Sequence, residues 1–350
     1  MTFIRNTWYA AGWSHELTDT ALLPRKFLNE PVVLFRDPSG TAVALADRCP
    51  HRFVPLHKGR LKDGVLECGY HGLCFDSTGA CVSNPHGDHV IPKAARVNSY
   101  RVVERDGILW IWMGNQALAD EGTIRSFPQF GGNDPRFKAV HGYLHVQANY
   151  QLVSDNLLDL THGQYVHPMF ANAAGPLTLE PSNDPDESTV WARFMRRGQT
   201  AGKFMQFLGF PADKLGDQRS IMRWNPPSNL LLDVGITGAG EPDENGLSLP
   251  TAHMLTPETE TTTHYLWSMA RDFRHEDEAF GKKLFEIGNN TFTTEDKPII
   301  EAQQKAMGDT TDLMSLKPVL LTTDGPAVQA RRVVRRLLDE ERAGMRTPAE

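Results

Sequence analysis

The segments Cys49-Pro-His51 and Cys68-Gly-Tyr-His71 each contain one cysteine and one histidine, with sixteen residues between them. Two cysteines and two histidines can form a structural zinc site, but zinc fingers usually place both cysteines on one segment and both histidines on the next. One of each per segment instead suits a two-iron cluster with the cysteines on one iron and the histidines on the other. This order predicts a Rieske-type 2Fe–2S cluster. A zinc site and four unconnected core residues are the alternative interpretations.

The residues around these segments have the pattern of a small β domain. Two pairs of strand-like runs, each pair separated by a hairpin-type turn, lie at 32–36 with 42–47 and at 101–104 with 108–113. The turns are Asp37-Pro-Ser-Gly40 and Asp106-Gly107, and the second is a strong hairpin signal. A loop-rich segment follows between 113 and 141. We therefore predict an all-β domain over residues 1–115 and a second domain over residues 116–350.

A second candidate metal site lies in the leucine-rich stretch 155–167, which contains His162 and His167. Buried ionisable groups are costly unless they are paired or bound to a metal. Side chains five residues apart diverge by about 140° on a straight helix, so we expect the helix to loosen around Gly163. Two histidines satisfied within a core are the alternative interpretation. An upstream iron–sulfur cluster favours a metal, because its electrons need an acceptor, and two histidines with one carboxylate hold iron in non-haem Fe(II) oxygenases.

The carboxylate ligand is expected from a long predicted helix at 277–305. The best candidate, Asp296, lies near an expected kink at Pro298. It is predicted to share one helix face with four other residues: Phe285, Phe292, Ile299 and Gln303. Glu295 and Glu301 are expected on other faces of this helix. A solvated surface position for Asp296 is the alternative.

Three further polar residues precede His162. Asp159 lies one turn before it, and the Asp159 carboxylate is predicted to accept a hydrogen bond from His162 and from a histidine of the cluster. Asn156 is expected to face the metal, and Asp155 is expected to cap or pair locally. A position on the helix surface is the alternative for Asp159, and its two flanking leucines argue against that alternative.

The composition of the chain limits the partners and the cellular location that we expect. The 350-residue chain has a formal net charge of −7 and a pI near 6.0, which argues against nucleic acid as a partner. No apolar run is long enough to cross a membrane, and the first residues lack a signal-peptide pattern, so we expect a cytoplasmic protein. Four cysteines without a signal suit a reducing compartment, and Cys74 and Cys81 are expected to be small buried thiols.

The second domain shows strands followed by helices, which predicts an α+β fold with an antiparallel sheet. The predicted strands are 141–148, 190–196, 220–224, 230–237 and 262–273, and the predicted helices are 149–161, 277–305 and 326–342. The last helix carries four arginines that are expected to form a solvated basic face or to contact an acidic partner: Arg331, Arg332, Arg335 and Arg336.

The chain resembles the Rieske non-haem iron oxygenases, in particular the aromatic O-demethylase oxygenase components for vanillate and dicamba. The resemblance extends over nearly the whole chain and rests on the segments 6–11, 49–52, 68–72, 103–105, 110–112, 149–150, 155–167, 256–260 and 295–296. It implies a Rieske domain followed by an antiparallel-sheet helix-grip (START-like) catalytic domain. In that domain His162, His167 and Asp296 would hold a mononuclear Fe2+, with Asn156 nearby.

The resemblance also implies a homotrimer in which Asp159 bridges His71 of one subunit to His162 of the next. The sequence has no dinucleotide-binding glycine loop, flavin motif or ferredoxin-type cysteine run. Electrons from NAD(P)H are therefore expected to arrive through a separate reductase or ferredoxin.

The same resemblance implies where substrate binds. It places the run 230–234 and the segment before Thr256 in the pocket. His253 is the expected contact for a carboxylate or phenol, and an exposed strand histidine is the alternative. Leu232 and Ile287 stand where the dicamba-type enzyme has an Asn and a Trp, which argues against dicamba itself.

The expected reaction is O2-dependent O-demethylation of a methoxy group on a benzoate-like ring, which yields a phenol and formaldehyde. Ring hydroxylation, methyl hydroxylation of another aromatic, and oxidation of a sulfonated analogue are alternative reactions. A non-redox zinc-binding protein is the alternative outside enzyme function.

Overall fold

The structure, a computed structural model, describes residues 2–132, 134–171, 175–181 and 188–344. One compact unit is built mainly from residues 1–126 together with 256–260, and the other from residues 127–255 and 261–342. The division predicted between residues 115 and 116 stays a prediction. None of the helices in the described ranges is both long and apolar enough to cross a membrane.

The first unit is an all-β domain, as predicted. Its strands are β1 (Trp8–Trp13), β2 (Leu23–Phe27), β3 (Glu30–Arg36), β4 (Ala42–Ala46), β5 (Arg60–Lys62), β6 (Val65–Glu67), β7 (Cys74–Phe75), β8 (Cys81–Ser83), β9 (Ser99–Tyr100), β10 (Val102–Arg105) and β11 (Ile108–Trp112). They form three antiparallel sheets in the orders β1-β11-β10, β2-β3-β4-β9 and β5-β6-β7-β8. Short 3-10 helices lie at Ser14–Glu16, Leu56–Lys58, Gln116–Leu118 and Glu121–Thr123.

Local sequence explains the hairpins and the core of this unit. Asp106 and Gly107 have φ values of 55° and 72°, so this dipeptide makes the left-handed turn that a tight hairpin needs. One hydrophobic core joins fully buried residues of the strands, such as Phe35, with Cys49 and Cys68 from the loops. The two cysteines are thereby fixed in a packed interior rather than in a mobile loop.

The second unit is built on an antiparallel sheet. Its strands are β12 (Lys138–Val146), β13 (Thr178–Glu180), β14 (Val190–Thr200), β15 (Leu215–Asn225), β16 (Asn229–Gly238), β17 (Leu247–Thr259) and β18 (Thr262–Arg271). They pair in the order β12-β18-β17-β16-β15-β14-β13. On β14, Val190, Ala192 and Phe194 are fully buried, while Trp191 and Arg193 alternate with them, and the Arg193 guanidinium lies 4.6 Å from the Trp191 ring centroid. Each predicted strand overlaps an observed one, but β13 and β17 are absent from the prediction.

The helices are α1 (Tyr150–Leu158), α2 (Gly163–Val166), α3 (Lys203–Leu208), α4 (Glu278–Asn290), α5 (Lys297–Met307) and α6 (Gly325–Arg342). Additional 3-10 helices lie at Leu160–His162, Asp243–Asn245, Leu313–Leu316 and Thr322–Asp324.

The predicted helix 149–161 ends early. Its interruption is at Asp159, where φ is −119° and ψ is 93°, and not at Gly163, which has right-handed helical dihedrals. The Asp159 side chain accepts a hydrogen bond from the Thr161 amide at 3.0 Å and starts the 3-10 turn that carries His162. Asp159 is therefore a capping residue, which favours a new helix start over continuation of α1.

The predicted helix 277–305 contains a π-helical turn at Thr291–Asp296 between α4 and α5. Pro298 lies in the first turn of α5, directly after the π turn, so the regular α-helix is already interrupted before the proline, and a kink at Pro298 itself stays a prediction. The predicted face is wrong in part: Phe292 and Asp296 are buried, but Phe285 and Ile299 are 38% and 58% exposed.

A shift of register explains the exposure of Ile299, which follows the π turn. A π turn contains one residue more than an α turn, so every position after it moves on by one. Ile300 and Gln304 are accordingly buried after the π turn, whereas the predicted Ile299 and Gln303 are exposed.

The contacts of the last helix, α6, differ from two of the predictions. Arg331 is not part of a solvated basic face: its side chain is 9% exposed and lies 2.5 Å from the Asp155 carboxylate. Asp155 therefore pairs with a residue far along the chain rather than locally. Arg332, Arg335 and Arg336 on the same helix are exposed.

We predict that Arg331→Met lowers the free energy of unfolding by about 3–5 kcal/mol, because it leaves the buried Asp155 without its charge partner. Thermal unfolding monitored by circular dichroism measures this loss. Arg332→Met, the same change on the exposed face, should stay within about 0.5 kcal/mol of wild type. Adding Asp155→Asn to Arg331→Met should recover part of the stability, and equal losses in the two single arginine variants would contradict the buried pair.

Candidate active site and iron–sulfur site

Two loops in the first unit present Cys49 and Cys68 in the same way. In each loop the cysteine N–H donates to the carbonyl five residues later, and the amide four residues later donates back to the cysteine carbonyl, at 2.8–3.0 Å. Both loops pass through a left-handed residue at that fourth position, Phe53 with φ 60° and Gly72 with φ 70°. The two segments, found by their spacing in the sequence, are therefore a matched pair of backbone turns.

The four predicted cluster ligands divide into a buried and an accessible pair. Cys49 and Cys68 are 2% and 3% exposed. The rings of His51 and His71 are more accessible, and their centroids lie 4.6 Å apart. This division suits a cluster whose cysteine-bound iron is inside and whose histidine-bound iron faces outward.

The remaining cysteines, Cys74 and Cys81, are buried thiols, as predicted. Burial raises the pKa of both thiols, which keeps them protonated and unreactive at neutral pH. Each contacts a nearby main-chain carbonyl, of Gly72 and Ser83 respectively. All four cysteines of the chain are free.

In the second unit His162, His167 and Asp296 come together, although the last lies far along the chain. The two histidine Nε2 atoms are 3.3 Å apart, and each is 3.3 Å from Asp296 Oδ1. Ligands that lie about 2.0–2.2 Å from one metal ion at near-octahedral or tetrahedral angles are about 3 Å apart. Three donor atoms in this arrangement fit one iron, with the remaining positions open.

Contacts behind the imidazoles fix their orientation. His162 Nδ1 donates to the main-chain carbonyl of Asp159 at 2.6 Å, and His167 Nδ1 donates to Glu295 Oε2 at 2.8 Å. Each Nδ1 therefore carries the proton, and each Nε2 keeps its lone pair for a metal. Glu295 Oε1 is held in turn by Asn290 Nδ2 at 2.6 Å.

Glu295 is the functional residue that sequence reasoning misplaced. Because 295 and 296 lie in the π turn, consecutive side chains serve the same site: Asp296 faces the metal donors and Glu295 supports His167. The signal in the sequence is the adjacent Glu295-Asp296 pair, since two acids in one turn near a predicted ligand are unusual in a buried helix.

The predicted contact between the Asp159 carboxylate and His162 is wrong. The Asp159 carboxylate instead accepts from Thr161 Oγ1 at 2.6 Å and from Thr323 Oγ1 at 2.8 Å. The residue still reaches His162, but through its carbonyl oxygen, because the chain turns out of α1 at this position. Asn156 Nδ2 lies 3.4 Å from Asp296 Oδ1, the oxygen that faces both histidines.

A cavity with a volume of about 1110 Å³, its open mouth included, adjoins these donor atoms. His162, His167 and Asp296 line it, and so do the predicted pocket residues Leu232 and Ile287. Most of the other lining side chains are apolar, which suits a flat organic substrate.

His253 lines the same cavity and is fully buried, so its interpretation as an exposed strand histidine is wrong. Burial lowers the pKa of His253 to about 3, so the ring is neutral. Its Nδ1 lies 2.7 Å from the Tyr265 hydroxyl, and its Nε2 has no hydrogen-bond partner among the residues that the structure describes.

Comparison with known proteins agrees with this geometry. Residues 7–101 match the Rieske 2Fe-2S domain, and residues 146–340 match the C-terminal domain of vanillate O-demethylase oxygenase. The chain belongs to the vanillate O-demethylase family of Rieske oxygenases. This membership confirms the predicted family and fold, and it decides against the zinc-binding alternative, because a Rieske domain carries a 2Fe–2S cluster.

Two curated relatives match this chain over almost their entire length. It is 38% identical to the oxygenase component of dicamba O-demethylase from Stenotrophomonas maltophilia, over 98% of this chain and 100% of the relative. It is 38% identical to the iron-sulfur subunit of the toluene-4-sulfonate monooxygenase system from Comamonas testosteroni, over 98% and 99%. The crystal structure of dicamba monooxygenase bound to dicamba matches with a TM-score of 0.87 and 36% identity, over 98% of this chain and 100% of that chain.

The family and the donor sets together define the cofactors. The protein is the oxygenase component of a multicomponent Rieske system, with a 2Fe–2S cluster and a mononuclear non-haem iron. Such a component receives electrons from NAD(P)H through a separate reductase or ferredoxin and uses O2 on an aromatic substrate.

We predict that Glu295→Ala weakens iron binding at the mononuclear site by about 10–100-fold, because His167 loses the carboxylate that orients it. Competition between the protein and a ferrous chelator measures this affinity. Glu295→Gln, which keeps an acceptor oxygen, should lose less.

The control for this experiment is Glu286→Ala, since Glu286 is exposed and forms an ion pair with Lys283 on the surface of α4. It should leave the affinity unchanged. Equal iron affinity in Glu295→Ala and wild type would show that His167 is oriented without Glu295.

Proposed function

We propose that this protein removes a methyl group from a methoxy-bearing, benzoate-like aromatic by O2-dependent oxidation, giving a phenol and formaldehyde. The observation that carries the proposal is the placement of three metal-donor atoms on the wall of a largely apolar cavity. Relatives named for the O-demethylation of dicamba and vanillate support the reaction class. In this reaction the methyl C–H bond becomes C–OH, the second oxygen atom leaves as water with two added electrons and protons, and the hemiacetal collapses.

The proposed ligand roles follow from the two donor sets. His162, His167 and Asp296 would hold the ferrous iron, and Cys49, His51, Cys68 and His71 would hold the cluster. When bound, these groups supply oxygen chemistry and one-electron transfer respectively. Asn156 would position Asp296 through their contact at 3.4 Å.

His253 is proposed to bind a neutral oxygen of the substrate. Tyr265 is buried, and its one described hydrogen bond is to His253 Nδ1, so the hydroxyl satisfies its proton by donating to that nitrogen. The tautomer is then Nε2–H, on a residue that lines the cavity. A methoxy or phenol oxygen is the acceptor that it would orient, while Leu232 and Ile287 would pack against the ring and exclude water.

A homotrimer with electron transfer between subunits is also proposed. Asp159 would link His71 of one subunit to His162 of the next, with its carbonyl already on His162. Support comes from the segment before Thr323, the residue that binds the Asp159 carboxylate. Val319 and Leu321 in that segment are 90% and 67% exposed, and exposed apolar runs mark contact surfaces. A cytoplasmic location stays a prediction, supported by four free cysteines.

A second reaction has a specific observation in its favour. The toluene-4-sulfonate relative is as similar in sequence as the dicamba relative, at 38% identity for each. Hydroxylation of a methyl group attached directly to a sulfonated ring would use the same cavity and would yield an alcohol without formaldehyde.

The deciding experiment incubates the protein with a Rieske reductase, NADH and O2 and a panel of aromatics. The panel contains methoxybenzoates, methoxybenzenesulfonates and toluene-4-sulfonate. We predict formaldehyde and phenol in equal amounts from at least one methoxy compound. Benzylic alcohol from toluene-4-sulfonate, with no formaldehyde from any methoxy compound, would replace O-demethylation with methyl hydroxylation. His162→Ala, which removes one donor atom, is the control that should be inactive.

A further inference from the structure

Arg196 on β14 lines the same cavity and is only 6% exposed. Its guanidinium has two described partners, and both are neutral acceptors: Nε donates to the Gly175 carbonyl at 3.1 Å, and Nη1 donates to Gln218 Oε1 at 3.2 Å. No carboxylate of the described residues lies within ion-pair distance of it. Burial lowers the pKa of Arg196, and no nearby acid opposes that effect. A buried charge without a counter-charge is costly, so a protein that retains one has a use for it.

Other deeply buried arginines of the second unit differ in this respect. Arg219 is 4% exposed, and its Nε lies 2.7 Å from the Asp233 carboxylate. Arg331 pairs with Asp155 at 2.5 Å. Arg271, which is fully buried, has the carboxylates of Asp277 and Glu278 near enough to raise its pKa against the effect of burial. Arg196 is therefore the buried guanidinium whose counter-charge is missing from the described residues, and it faces a cavity.

The sheet register places Arg196 far from His253 along the cavity wall. Arg196 of β14 pairs with Gln218 of β15. His253 of β17 pairs with Leu230 of β16, which in turn pairs with Trp224 of β15. Positions 218 and 224 are six residues apart, so the two rows are separated by roughly 20 Å of strand. His253 lies at the end near the metal donors, because its ring is 5.4 Å from that of Phe292 in the π turn.

We propose that Arg196, assisted by Gln218 and Ser220, binds the anionic group of the substrate at the end of the cavity remote from His253. The ligand is an aromatic carboxylate or sulfonate whose methyl-bearing substituent lies opposite the anion. Gln218 and Ser220 line the same wall and offer neutral polar groups beside the guanidinium. This inference rests on the proposed function and reassigns the anion contact from the neutral His253 to Arg196. Because the para position of a ring lies opposite its anionic group, an anion held at the remote end directs a para substituent, rather than an ortho one, toward the metal donors.

The test measures binding and turnover separately. Isothermal titration calorimetry is carried out with 4-methoxybenzoate, 4-methoxybenzenesulfonate, 2-methoxybenzoate and the uncharged 4-methoxybenzamide, and formaldehyde is scored for each. Arg196→Met should weaken binding of the best anion by about 30-fold or more, the usual loss for a buried ionic hydrogen bond, and should change amide binding by less than about threefold. Wild type should bind 4-methoxybenzoate more tightly than 2-methoxybenzoate. The preferred anionic group is the one whose 4-methoxy compound, benzoate or benzenesulfonate, binds more tightly.

Arg197→Met is the matched control, since Arg197 is the next residue of the strand and pairs with Glu180 at the surface. It should bind every compound like wild type. If Arg196→Met does not fold, as judged by thermal unfolding and the visible spectrum of the cluster, Arg196→Gln carries the same comparison.

The outcomes separate this inference from the proposed function. Equal weakening of anion and amide by the Arg196 variants, or a wild type that does not prefer the anions, would overturn the anion site. Preference for 2-methoxybenzoate would overturn the placement at the remote end. Arg196-dependent anion binding without formaldehyde from any compound would uphold the anion site while rejecting O-demethylation.

Discussion

The donor atoms of His162, His167 and Asp296 meet because two helical segments depart from α geometry. The chain leaves helical dihedrals at Asp159, and the 3-10 turn that follows directs His162 toward His167. A π turn brings Asp296 to the same point with Glu295 behind His167. π turns are rare and cluster at functional sites, which fits a structure that gives up regular hydrogen bonding to gather ligands. The cavity can hold a molecule next to a bound metal only because it opens beside these donor atoms.

The meeting of His162, His167 and Asp296 could be predicted from sequence, because metal-donor chemistry is visible in residue type and spacing. The buried positions after the π turn could not be predicted, because nothing in the sequence marks the added residue. The buried isoleucine is therefore Ile300 and not Ile299. The strand β17 escaped prediction for another reason. Most of its residues are buried on both faces, so the alternation of polar and apolar residues is absent, and Pro250 within it is unusual for a central strand.

Which side chains of the cavity carry a charge was the feature hardest to predict from the sequence. A histidine near a predicted pocket suggests an anion contact, but full burial keeps His253 neutral, and burial is not visible in the sequence. Arg196 carried a signal of its own. Adjacent residues of a strand point to opposite faces, so one member of the pair Arg196-Arg197 had to face inward. With a cationic guanidinium at one end of the cavity and the metal donors toward the other, an anionic substrate would bind in one direction.

We propose that one chain holds two separate iron sites, built from the two donor sets described above. Mössbauer spectroscopy of protein grown on enriched iron tests it most directly, together with metal analysis. We predict two sulfide-bridged cluster irons and one additional high-spin ferrous ion per chain, the latter bound by nitrogen and oxygen donors. A spectrum of the cluster alone, with zinc in place of the additional ferrous ion, would contradict it.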